Sequence, residues 1–472
     1  MSVPAVNGDD MSFKILQPAL EHGLAARVGR LAAANRTPID TPTFVGVTSR
    51  GAIPHLTPDV ISKHTDIRVA YMALEDFTEK SSKRKSPAIF SQPEDVCRPL
   101  HAYTATPSST YTILAPRRTP AVVAPNGNGP KHISVLTSTG FERLTCENYC
   151  TAIKQIMPDI VVAPADLTFS SATPGAKRQV FMVQRTQEWL DEFFLHLDSE
   201  KTLKPSGIHV FAPLLPISYP MQWKYLNHLS EVHAARLNGL TLYDAKILHD
   251  LKNHPQLLDL PRLSMDSPES PQQILQQVRL GVDIFATPLV NNISDAGVAL
   301  NFSFPRPQQV PVEFNLWASI CCGCYACTKH HRAYLQHLMN AREMLGWTLL
   351  QIHNHHVMSE FFRHIRLAIA DGTFEQKAGE FTKYYESEFP LGTGVRPRAR
   401  GYHFKPEAGQ PRINKAPWSK LEGEGTPDQV AAAEAAGLVV TGPAAGGSET
   451  PLVPDADTAA LVREGFAKVD GV

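Results

Sequence analysis

Short apolar runs alternate with helix-period segments from about residue 13 to residue 385, and the middle of the chain carries the clearest pattern. Residues 159–163 read as a buried strand. Residues 185–197 read as a helix that buries Trp189, Leu190, Phe193, Phe194 and Leu197 at 3.6-residue spacing. The same reasoning predicts strands at 208–215, 240–243, 262–265 and 282–285, with helices at 221–235 and 271–280 between them. Repeated β-α units imply a parallel sheet with helical crossovers, either an open doubly wound sheet or a closed (β/α)8 TIM barrel. A dinucleotide-binding open sheet would carry a Gly-rich phosphate fingerprint after its first strands. None is present, and an α/β fold of the barrel type is the expectation.

The pattern fades in two places. From about residue 391 the chain turns to Gly, Pro, Ala and Glu, as in 401–409, 420–427 and 440–454. Such a segment buries too little apolar surface to offset its ordering entropy, so 391–472 is expected to be mostly disordered, with one short helix near 428–436. The stretch 79–131 is rich in loop residues, including the basic run Lys83, Arg84 and Lys85, and is expected to hold insertions between core elements.

Lys plus Arg total 45 and Asp plus Glu total 46, a formal charge of -1 that gives no global field for nucleic acid. Any RNA contact must come from a local basic patch. Residues 1–10 lack a charged segment followed by an apolar run, and no apolar stretch reaches the ~18 residues of a membrane span. A soluble cytoplasmic protein is expected, with peripheral association with an organelle surface such as the mitochondrial outer membrane left open.

Seven cysteines stand at 97, 146, 150, 321, 322, 324 and 327, four of them within seven consecutive positions. That clustering points to reduced thiols around a metal instead of a disulfide framework. Cys322, Cys324 and Cys327 offer three thiolates that one turn can aim at a tetrahedral centre, and a fourth ligand would close a structural zinc site. Histidines follow at 330, 331, 337, 353, 355 and 356, and spacing does not choose among them. A helix expected over 331–345, burying Tyr334, Leu335, Leu338, the stem of Arg342 and Leu345, stops at Gly346. A strand or helix returning from there would bring His353 back beside the thiolates.

At this point a resemblance becomes specific. The run Cys322-x-Cys324-Tyr325-x-Cys327, then Arg332-Ala333-Tyr334-Leu335, Ile352-His353-Asn354 and Ile365-Arg366-x-Ala368-Ile369 resembles the zinc-bearing segment of tRNA-guanine transglycosylases. Thr41-Pro42-Thr43-Phe44, Leu56-Thr57-Pro58 and Gly281-Val282-Asp283-Ile284-Phe285 extend the likeness across most of residues 13–385. It implies a (β/α)8 barrel over 13–390 with an inserted zinc subdomain at about 315–370, one Zn2+ with His353 as fourth ligand, dimerisation, and exchange of a guanine base in the tRNA anticodon loop.

The departures are as informative. The family's Asp nucleophile follows the Phe of its Gly-Val-Asp-x-Phe-Asp motif, and here that position is Ala286. Pro288-Leu289-Val290-Asn291-Asn292 replaces the Pro-Thr-Arg expected downstream, and the Asp-Ser-Gly-Gly-Phe-Gln signature of the second Asp is absent between 70 and 150. Val210-Phe211-Ala212-Pro213 stands where a Gly-Gly pocket motif is expected, and only Asp166 could mimic the guanine-reading acid. No catalytic residue is therefore assigned. The resemblance then implies a non-catalytic subunit that pairs with the catalytic queuine tRNA-ribosyltransferase subunit, which exchanges guanine for queuine at the wobble position of tRNAs with GUN anticodons. The residues placed for tRNA contact are Lys329, His331, Arg332 and Arg366, with His330 and Arg363 beside them. Two rival readings stand: an active transglycosylase with a displaced nucleophile such as Asp283, and a zinc module that binds RNA or protein without base exchange.

Overall fold

A computed structural model describes residues 11–306 and 322–387, except 19–25, 34, 79–86, 94–95, 125–126, 138–139, 170–172, 199–206 and 386. The expected tail at 391–472, Cys321 and the basic run at 83–85 lie outside the described residues.

The chain first forms a three-stranded antiparallel sheet of β1 (Ser12–Gln17), β2 (Val28–Ala32) and β3 (Ile39–Thr41). The barrel follows, from β4 (Thr43–Phe44), β5 (Gly46–Val47), β6 (Val69–Ala73) and β7 (Tyr111–Ala115). A hairpin, β8 (His132–Thr137) and β9 (Gly140–Thr145), precedes β10 (Ile160–Val162), β11 (His209–Leu214), β12 (Gly239–Leu242), β13 (Arg262–Ser264) and β14 (Ile284–Phe285). The hydrogen-bonded order is β4-β14-β13-β12-β11-β10-β7-β6-β5, parallel throughout. β4 and β5 are one extended run interrupted at Val45, whose N–H donates to the Phe285 carbonyl at 3.0 Å. That run pairs with β14 on one side and β6 on the other, so the sheet returns on itself as a (β/α)8 barrel.

Side-chain alternation separates inside from outside. Val69, Tyr71, Tyr111, Ile113, Ile160, Val162, Phe211, Leu263, Ile284 and Ala286 form the interior cluster. Ala70, Met72, Leu114, Val161, Val210 and Phe285 face the helices instead. Leu31 and Ile39 join the interior cluster, so the antiparallel sheet closes the N-terminal end of the barrel and leaves the C-terminal end as the mouth.

The helices are α1 (Pro58–His64), α2 (Pro99–Thr104), α3 (Cys146–Ile156), α4 (Ala176–Asp198), α5 (Tyr219–His228), α6 (Pro271–Leu280) and α7 (Leu289–Asp295). After them come α8 (Tyr325–Lys329), α9 (Arg332–Asn340), α10 (Met344–Ala370) and α11 (Phe374–Tyr384). Among the described residues no helix is long and apolar enough to cross a membrane. The loop-rich stretch 79–131 holds two core elements, α2 and β7.

The helix expected over 331–345 divides. Arg342 adopts φ 57°, the left-handed conformation that ends helices, and the Glu343 N–H reaches back to the Leu338 carbonyl at 2.9 Å. Gly346 is therefore inside α10 and not a helix stop. A Cβ there would lie 2.8 Å from Met339 Sδ and 3.3 Å from Leu338 Cβ, so its hydrogen lets α9 and α10 approach closely. Leu335 and Leu338 are buried as expected, whereas Tyr334, Arg342 and Leu345 are exposed.

Candidate metal centre and barrel mouth

α10 brings the fourth ligand back to the cysteines. His353 Nδ1 lies 3.4 Å from Cys322 Sγ, 3.7 Å from Cys324 Sγ and 3.2 Å from Cys327 Sγ, and Cys327 Sγ is 3.3 Å from each of the other two sulfurs. A tetrahedral zinc ion with Zn–S of ~2.3 Å and Zn–N of ~2.05 Å sets sulfurs roughly 3.8 Å apart and sulfur to nitrogen roughly 3.6 Å. The four donor atoms need to spread by only a few tenths of an ångström to hold one. The imidazole is already in the right tautomer: Nε2 donates to the Leu300 carbonyl at 2.8 Å, which leaves the Nδ1 lone pair aimed at the sulfurs. Cys324 caps α8, its sulfur accepting from the Cys327 N–H, and donors from Cys322 and Cys327 hold its thiol below the ordinary value, toward thiolate. His353, Cys324 and Cys327 are buried. This donor set and this burial fit a closed structural zinc site.

Polar neighbours of His353 fasten that site to the barrel. Asn354 accepts from the Leu300 N–H at 2.8 Å and donates to Ser294 Oγ at 2.9 Å and the Val298 carbonyl at 3.0 Å. Gln351 donates to Asn291 at 2.7 Å, and Asn291 donates to the Val47 carbonyl at 3.0 Å. Farther along α10, Phe362 and His355 stack on Phe44 of the closing strand at 5.5 and 5.6 Å. Gln351 and Asn354 were missed as site residues, although amides inside an otherwise apolar helix are a readable sign of buried polar contacts.

Ala286 stands where β14 reaches the mouth, fully buried, its N–H donating to the Ser264 carbonyl at 2.9 Å. Asp283 precedes β14, at the opposite end of the barrel. It accepts from Arg27 at 3.0 and 2.6 Å and from the Arg262 N–H at 2.9 Å, while Arg27 also binds the Leu258 and Leu260 carbonyls. Asp283 therefore lies away from the mouth and is held by Arg27. Asp166 is no free base reader either, because Arg178 pairs with it twice at 2.6 Å and Arg185 and Asn128 bind it at 3.2 and 2.9 Å.

The mouth itself holds a cavity of about 250 Å³ lined by Tyr71, Arg117, Phe169, Tyr243 and Met265 among others, with no Asp or Glu in its lining among the described residues. The basic candidates are dispersed. Lys329 and His331 are exposed, Arg332 is half-buried, and Arg366 is half-buried with one N–H donated to the Pro42 carbonyl at 2.8 Å. Arg363 pairs with Glu360 on its own helix.

The sequence profile described as queuine tRNA-ribosyltransferase matches residues 22–387. The chain belongs to that family. It is 31% identical over 417 residues to a Schizosaccharomyces pombe protein named queuine tRNA-ribosyltransferase accessory subunit 2, covering 84% of this chain and 90% of that one. Proteins of the same name from Drosophila melanogaster and Culex quinquefasciatus are each 28% identical, over 75% and 79% of this chain and 88% and 90% of their own lengths. Within the queuine tRNA-ribosyltransferase family, then, this barrel carries a Cys322, Cys324, Cys327 and His353 cluster that could hold a metal ion, and Ala286 at the end of β14.

Proposed function

We propose that this chain is the non-catalytic subunit of a heterodimeric queuine tRNA-ribosyltransferase, pairing with a catalytic paralogue in the cytoplasm to exchange guanine for queuine at the wobble position of tRNAs with GUN anticodons. The observation that carries the reading is the end of β14. A glycosidic displacement through a covalent intermediate needs a carboxylate at the anomeric carbon and a second group for the proton. Here the first position is a buried methyl group, and among the described residues no carboxylate lines the cavity at the mouth. Relatives named as accessory subunits support the same division of labour.

Zn2+ held by Cys322, Cys324, Cys327 and His353 supplies the fold of the subdomain and no reaction step. Around it, α9 and the first turn of α10 expose Tyr334, Met344 and Leu345, an apolar surface suited to the partner subunit. Lys329, His331, Arg332 and Arg366 are the residues we assign to tRNA phosphates, with Lys329 and His331 the most accessible. The test is base exchange on tRNA with labelled guanine. The chain alone is expected to incorporate none, and a stable one-to-one complex with the catalytic paralogue to incorporate it; robust incorporation by the chain alone would overturn the reading.

A further inference from the structure

A second set of metal-ligand side chains lies in the outer helical layer, on elements other than those of the cysteine site. Asp191 stands on the solvent side of α4, whose inner side is held in the core by Leu190, Phe193 and Phe194. α5 ends at His228 and passes into a turn of π-helix, Leu229–His233. In an α-helix residues five apart point roughly 140° away from one another, whereas a π turn closes from i to i+5 and sets them on one face. His228 and His233 consequently converge. Their Nε2 atoms lie 2.8 and 2.6 Å from the same oxygen, Asp191 Oδ1, with ring centroids 5.0 Å apart and planes at 78°.

We propose that Asp191, His228 and His233 form a binding site for a divalent first-row transition metal such as Zn2+ or Ni2+, strapping α4 to the π turn. The three donor atoms lie within 4.8 Å of one another and compose the two-histidine, one-carboxylate face that such ions take. Cis ligands on an octahedral ion with bonds of ~2.1 Å are about 3.0 Å apart. The observed 2.6 and 2.8 Å need only slight opening. Exposure of Asp191 at 45% and His228 at 21% leaves the remaining coordination positions open to water. His233 is the buried member of the cluster, 5% exposed. Its Nδ1 is buried without a partner among the described residues, so no acceptor orients the ring from behind. This site should therefore bind more weakly than the cysteine site.

The test uses the full, tag-free chain with zinc already bound. After dialysis against micromolar Ni2+, elemental analysis of the wild type should give one zinc and one nickel per chain, and Ni2+ should raise the melting temperature. His228→Ala and Asp191→Asn should each keep the zinc, lower nickel affinity by at least about tenfold, and lose the nickel-dependent rise. Asp191→Asn retains an acceptor for one imidazole, which guards the fold. Nickel below stoichiometry in the wild type, or unchanged in both variants, would overturn the proposal.

Discussion

Ala286 shows how far one side chain decides chemistry. Its methyl group lies within the interior cluster at the mouth end of β14, fully buried. Ala286→Asp would restore a carboxylate there, but Asp76 and Asp166, beyond the ends of β6 and β10, are already paired, with Arg118 and with Arg178 and Arg185. Incorporation of labelled guanine by the isolated variant should stay at background. The buried, unpaired carboxyl should lower stability by at least about 2 kcal/mol. Measurable exchange would mean that another group handles the proton.

Asp76, just beyond β6, is buried beside Arg118 Nη2 at 3.3 Å, and burial pushes its pKa up to about 6. A folded pKa above the unfolded value means that the folded chain holds the proton longer. Its contribution is greatest below about pH 4 and is lost as pH rises through about 6. Two units correspond to about 3 kcal/mol. Urea unfolding of Asp76→Asn and wild type should therefore show the variant gaining on the wild type by that order between pH 4 and pH 7. A constant gap would assign the strain elsewhere.

At the scale of elements, α10 divides into a half that serves the metal and a half that serves the barrel. The first half packs Leu349 and Leu350 with Leu335, Leu338 and the cysteines in a core too small to stand unaided, whereas Phe361, Phe362 and Ile365 belong to the main core. Cys324→Ser should bring zinc content close to zero and expose α8 and α9 to rapid amide exchange, while the second half of α10 stays protected. Unchanged zinc would remove the metal assignment.

What sequence could disclose follows the same division. α6 was readable to the residue because Ser270 caps it, Pro271 opens it and Gly281 closes it at φ 97°. The break after α9 was not, because Arg342 takes a conformation that sequence reasoning reserves for glycine. The π turn after α5 leaves no composition signal, and β4 and β5, two residues each, are too short for alternation to show. Three cysteines in six positions announce a metal by spacing, but Arg27 and Asp283 are separated by 256 positions and meet only through the barrel.

At the scale of the whole molecule, the antiparallel sheet closes one end of the barrel, the other end carries Ala286 at the close of β14, and the metal subdomain is fastened through Gln351 and Asn291 to Val47 of β5. That arrangement suits a subunit whose work is to present a surface. Met344 is 60% and Leu345 43% exposed on the first turn of α10, an unusual cost in water for two large apolar side chains side by side. If the catalytic paralogue covers them, converting both to Glu places two charges in a desolvated contact. Truncating a central contact of this kind commonly costs about 2 kcal/mol or more, so pairing should weaken by at least about thirtyfold. Because neither side chain belongs to a core cluster, zinc content and melting temperature should stay at wild-type values. Leu195→Glu is the control, since Leu195 is 69% exposed on α4, away from the metal subdomain's own elements, and should leave pairing intact. Wild-type pairing by the Met344→Glu, Leu345→Glu chain would place the partner on another face. Loss of pairing together with loss of zinc would instead show that these two side chains support the subdomain itself.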